Sequence, residues 1–264
     1  MIIDFHTHAF PDSLAPRAIA GLVAGAGGTL PPCHDGTVGG LKANMERFGI
    51  DLSVIQPVIT KPKQTETLNK WAQTVTEGNT LSFGGIHPLT DDFKRDIDYV
   101  LSLGLKGLKF HPEYQEFQVD SEEMLRVYDY ALSRGLILLF HAGYDIAYKP
   151  PFRSSPKAFR RIMDAMGGGT VVAAHMGGIG EWEQTAELLS GTGIYLDSSM
   201  GFDYYGEERF LHMVEAMGSS QILFGSDAPW SNGGEEIKRI GALPLSEEDK
   251  AAILGGNARR ILGI

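Results

Sequence analysis

Short apolar, β-branched runs recur along this chain, separated by longer segments with helical periodicity. The runs are Met1–His6, Leu52–Val58, Leu81–His87, Leu105–His111, Leu136–His141, Thr170–His175, Gly193–Ser198 and Ile222–Asp227. Continuous apolarity without strict alternation marks strands covered on both faces, as in a parallel sheet. Helices are expected between them, over Gly39–Phe48, Thr65–Glu77, Asp91–Leu103, Ser121–Arg134, Pro156–Met166, Glu181–Leu189 and Glu207–Met217, with Ser246–Leu262 last. Two of these open on Ser121-Glu122-Glu123 and Ser246-Glu247-Glu248, where a hydroxyl can cap free amides and the acids complement the helix dipole.

Strands alternating with helices over 264 residues predict an α/β fold, a single-domain (β/α)₈ TIM barrel spanning residues 1–264. A doubly wound open sheet shares the alternation, but no GxGxxG follows the first run, which removes the best argument for it. The exception to regularity is Ala9–Gly36, rich in Gly and Pro. It reads as a long loop insertion after strand one, serving as a lid or wall of a site or as a surface excursion.

Composition narrows the function. Hydrophobic residues make up 43% and charged residues 21%, the balance of a globular protein. A net charge of −10 and no basic run longer than a pair argue against nucleic-acid binding. One cysteine, Cys33, allows neither an intramolecular disulfide nor a thiolate zinc cluster, and fits a reducing cytoplasm. No leader is read at Met1, and no apolar stretch approaches the ~20 residues that would span a bilayer.

In a barrel of this kind chemistry gathers at the C-terminal ends of the strands. Six of the eight histidines, His6, His8, His87, His111, His141 and His175, stand at the ends of runs. A core histidine bonded to a backbone carbonyl explains any one of them, but explains six at one level poorly. His6 and His8 are two apart, so on an extended strand both can face the barrel axis, and neutral imidazole is the commonest metal ligand. Asp227 closes the apolar run ILFGSD. A buried carboxylate there needs a cation, unless it only caps the turn before Pro229.

The ordered set DFHTH, FHAG, AHMGG and FGSDAPW, with GIHP, LKGLKFHPEYQEF and NARRIL, resembles the amidohydrolase superfamily. The likeness runs over the whole chain, to the branch that includes aminocarboxymuconate-semialdehyde decarboxylase and related aromatic-acid decarboxylases. The resemblance implies one divalent metal, usually zinc, among His6, His8, His141 and Asp227. It gives His175 a catalytic place beside the metal's water, with Asp227 or His175 as proton acceptor. Lys109 admits three readings: a carboxylated bridge to a second metal, a cation for a substrate carboxylate, or an ion-pair partner of Glu113. The second is preferred, because Lys109 and His111 share strand parity. His111, His87 and Trp230 complete the substrate-binding candidates, and a homodimer is implied by the branch alone.

The expected function is a metal-dependent hydrolase acting on a small carboxylate- or carbonyl-containing compound. The alternatives are a zinc-dependent non-oxidative decarboxylase of a small aromatic or unsaturated acid, and a non-catalytic metal-binding protein.

Overall fold

The computed structural model describes residues 1–264 and contains eight strands: β1 Ile3–Thr7, β2 Leu52–Ile55, β3 Thr80–Ser82, β4 Gly107–Phe110, β5 Ile137–Phe140, β6 Val171–Ala173, β7 Tyr195–Asp197 and β8 Ile222–Leu223. All ladders are parallel, in the orders β1-β2-β3 and β4-β5-β6-β7-β8. Two seams join these arcs. Gly84 N–H donates to Gly107 O (2.8 Å) and Lys109 N–H to Gly84 O (2.9 Å), while Phe5 N–H donates to Phe224 O (2.9 Å) and Asp227 N–H to His6 O (2.8 Å). The sheet therefore closes into a barrel with no free edge.

Strand alternation divides the apolar residues into two shells. Ile3, Phe5, Val54, Phe83, Leu139, Val172 and Leu223 form the barrel interior. Leu108, Phe110, Leu138, Phe140 and Leu196 face outward into the larger cluster shared with the helices. Lys109 pairs in register with Leu139, so it points inward, and the same parity carries His111 and His141 inward at the strand tops.

The helices are α1 Ala15–Gly25, α2 Val38–Phe48, α3 Thr65–Thr74, α4 Phe93–Ser102, α5 Glu122–Ser133, α6 Pro156–Ala165, α7 Trp182–Leu189, α8 Phe202–Met217, α9 Gly233–Ala242, α10 Glu247–Ala251 and α11 Asn257–Leu262. The capping signals act as read: Ser121 accepts from Met124 N–H and Ser246 from Asp249 N–H. Three expectations are corrected. Ala9–Gly36 is not a loop throughout, because it carries α1. Helix α9, capped by Asn232, lies where no helix was expected. The single helix expected over Ser246–Leu262 is α10 and α11 joined by a wider π-helical turn at Ala252–Gly256. Ala258 and Leu262 of α11 pack into the interior cluster and close the N-terminal end of the barrel. No helix is long and apolar enough to cross a membrane.

Candidate active site

The C-terminal ends of the strands open into a cavity of about 390 Å³, with His6, His8, Lys109, His111, His141, His175 and Asp227 at its polar floor. Local backbone irregularities aim three of them. A register shift between Asp4 and Thr7 in β1 lets Phe5 stay in the interior while His6 also reaches the site. His175 and Asp227 take positive φ (58° and 65°), a conformation uncommon outside glycine that turns each side chain off its strand's parity.

The tautomers follow from the hydrogen bonds. His6 Nδ1–H donates to Asp197 Oδ2 (2.9 Å) and His8 Nδ1–H to the Gln56 carbonyl (2.9 Å), so both turn an Nε2 lone pair to the floor. Facing them is Asp227 Oδ1, 3.5 Å from His6 Nε2 and 3.1 Å from His8 Nε2. A second chain starts at Ser199, whose hydroxyl donates to Asp197. His175 Nδ1–H donates to Ser199 Oγ (2.7 Å), and His141 Nδ1–H donates to His175 Nε2 (3.0 Å). This leaves His141 Nε2 buried without a partner.

Such a donor set fits a divalent cation. His8 Nε2 and Asp227 Oδ1 are both acceptors, and two acceptors 3.1 Å apart repel unless a cation or proton lies between them. His6, His8 and Asp227 offer ligand atoms within 4.8 Å of one another. His141, expected in the same set, instead groups with His111 and Asp145, and connects to the first set through His175. Burial holds the His6, His141 and His175 imidazoles well below their usual pKa, helped by the Lys109 amine, so they are neutral ligands. Burial would push Asp227 up, but His6, His8 and Lys109 outweigh it and keep the carboxylate ionised.

Lys109 is 1% exposed, and its Nζ lies 2.9 Å from His6 Nε2. Burial pushes its amine down to about 8, against the opposing pull of Asp227 and Asp197. The ion pair with Glu113 expected as one option does not form. Glu113 is taken by Arg153, through its backbone N–H (2.6 Å) and Nη1 (2.6 Å). His111 stacks between Tyr114 and His141, at 3.7 and 4.2 Å, with Nε2 3.3 Å from Asp145. Trp230 lines the cavity, but His87 does not. The His87 ring accepts from Leu89 N–H (3.1 Å) and shapes the turn after β3.

Two carboxylates escaped the sequence reading. Asp197 ends β7 and ties His6 Nδ1, His175 N–H (3.0 Å) and Ser199 together; a lone acid closing an apolar strand was the same signal that marked Asp227. Asp4 accepts from Ser226 N–H (2.9 Å) and Oγ–H (2.5 Å), and burial raises its pKa to about 7. The folded protein thus keeps a proton on Asp4 that the unfolded chain loses near pH 4. Stability contributed by Asp4 is expected to fall as pH rises from 4 to 7, with a slope of up to about 1.4 kcal/mol per pH unit. Denaturant titrations at pH 4.5 and 6.5 should show Asp4→Asn narrowing the difference between the two; an unchanged difference would assign the slope to other groups.

The profile described as amidohydrolase matches residues 3–264. The chain belongs to the amidohydrolase family. Among curated proteins no sequence matches this amidohydrolase significantly. Solved structures share its barrel along the whole length. A TIM-barrel protein from Bordetella bronchiseptica superposes with a TM-score of 0.76 at 18% identity, covering 99% of this chain and 98% of that one. A 5-carboxyvanillate decarboxylase from Novosphingobium aromaticivorans, complexed with manganese and 4-hydroxy-3-methoxy-5-nitrobenzoic acid, gives 0.72 at 12% identity, with 100% and 96% covered. A candidate 2-pyrone-4,6-dicarboxylic acid hydrolase from Pseudomonas putida gives 0.69 at 18%, with 99% and 97% covered.

Proposed function

We propose that this amidohydrolase is a metal-dependent hydrolase acting on a small carboxylate- or carbonyl-containing compound. The observation that carries the reading is the confrontation of His8 Nε2 with Asp227 Oδ1, flanked by His6 Nε2, with the unpartnered His141 Nε2 in the neighbouring His111–Asp145 group. One zinc ion is the proposed occupant, held by His6, His8 and Asp227 with His141 beside them. When bound, such an ion lowers the pKa of water toward neutrality and polarises a carbonyl.

The chain's own groups do the rest. Asp227, ionised and buried, accepts the proton released as water attacks, and His175 Nε2, 3.0 Å from His141 Nδ1, becomes a second acceptor when His141 turns its N–H away. Lys109, protonated below about pH 8, holds a substrate carboxylate or a developing oxyanion, and His111 and Trp230 bound the substrate's sides. His87 has no role in this reading. The protein is further proposed to work in the cytoplasm, as a homodimer.

A second reading, non-oxidative decarboxylation of an aromatic acid, is favoured by one feature: Tyr114, Trp71, Trp230 and Tyr204 give the same cavity an aromatic wall. The manganese-bound decarboxylase of like fold supports that class. Chelation separates the readings from a purely structural role for the histidines. Metal-stripped protein is expected to lose at least 100-fold activity on a panel of lactones, esters, amides and aromatic acids, and zinc or manganese to restore it. A new carboxylate product without carbon dioxide supports the hydrolase, and carbon dioxide release the decarboxylase. Stoichiometric metal with no turnover on any member would support a binding protein.

A further inference from the structure

The cavity is longer than the polar floor requires. Along α1 and its two capping residues the lining falls at Leu14, Ala18, Leu22 and Ala26, every fourth residue, so one apolar row, slightly inclined to the helix axis, follows the cavity wall. Twelve residues at 1.5 Å per residue make this stripe about 18 Å long. A single-ring acid anchored at Lys109 would leave most of it uncovered.

Most of the stripe stands outside the packed core. Leu14, Ala18 and Leu22 belong to none of the three apolar clusters that build the core, and Leu14 is 40% exposed. Helix α1 buries only Ala15 fully, although it is an apolar helix. Trp71, Ile146 and Tyr204 add further apolar surface to the same cavity. Arg17 is the one charged residue of α1 on the cavity, and it is exposed. The floor is cationic and metal-binding in character, the trough above it is not, and the two are continuous.

We propose that the substrate is an amphipathic carboxylic acid whose apolar body extends beyond one ring, its acid group at the Lys109 floor and its apolar arm along the Leu14–Ala26 stripe of α1. The proposal rests on the floor being a carboxylate site. It makes Ala18 and Leu22 specificity-determining residues: they touch the arm and set its permitted length, and have no part in bond breaking.

Binding can be read without turnover, because Trp71 and Trp230 line the cavity and report occupancy by fluorescence. The probes are benzoate, 4-phenylbenzoate and 4-phenylbenzamide, titrated into metal-loaded protein. The second ring is expected to tighten binding at least tenfold, since it removes further apolar area from water. In Leu22→Trp and Ala18→Trp, which fill the trough from a helix outside the core, the ratio of 4-phenylbenzoate to benzoate affinity should fall toward one, with thermal midpoints within a few degrees of the parent. Equal affinity for the two acids in the parent protein would overturn the proposal, and so would a ratio that neither variant moves. Equal affinity for 4-phenylbenzoate and 4-phenylbenzamide would instead overturn the carboxylate floor on which it rests, a failure readable separately from that of the apolar arm.

Discussion

Asp227→Asn is expected to lower kcat/KM by about 10³-fold or more, and to weaken divalent-metal binding as well. The substitution is nearly isosteric, and it removes the one anion facing His6 and His8 at the floor. It also removes the counter-charge that opposes burial of the Lys109 amine, so that amine should titrate below the about 8 of the parent protein. Because Asp227 N–H still donates to His6 O, the seam between β1 and β8 should hold and the fold remain. Steady-state kinetics with a measured metal content checks the effect. Parent-like kcat/KM at full metal occupancy would remove Asp227 from the chemistry.

Asp197→Ala is expected to cost roughly 3 kcal/mol in stability and 10- to 100-fold in metal affinity together. The carboxylate is fully buried and serves His6 Nδ1–H, the His175 and Ser199 backbone amides and the Ser199 hydroxyl. Removing it strands several buried donors at once, and it frees His6 to rotate or change tautomer. His6 would then no longer present Nε2 to the floor. Denaturant unfolding and competitive chelator titration measure the two losses. A loss of stability with unaltered metal affinity would mean that His6 is not a ligand.

The barrel was legible because seven of the eight apolar runs end in a polar residue, and those endings also marked His6, His111, His141, His175 and Asp227 as standing at one level. Helix α1 was hidden for a physical reason. Its apolar stripe is built partly of alanine, lies among glycines, and faces a cavity rather than the core, so it lacks the contrast that burial imposes elsewhere. Helix α9 begins with Gly233-Gly234, poor helix formers after the Asn232 cap, which weaken the helical signal at its start. Contacts across the barrel were beyond any spacing rule. Lys109 meets His6 from 103 positions away, and Glu113 chose Arg153 because the loop after β5 folds back over β4. The bulge that re-aims His6 and the positive φ of His175 and Asp227 are set by closure, which no local pattern encodes.

The packing of α11 beneath the barrel has a practical consequence. Leu262 reaches the interior cluster next to Ile3, and the Lys106 amine holds the Leu262 carbonyl (2.6 Å), so both ends of the chain leave from the face opposite the cavity. An affinity handle or surface tether at either end therefore points away from the mouth, and protein immobilised through it would present every cavity to solution in the same orientation.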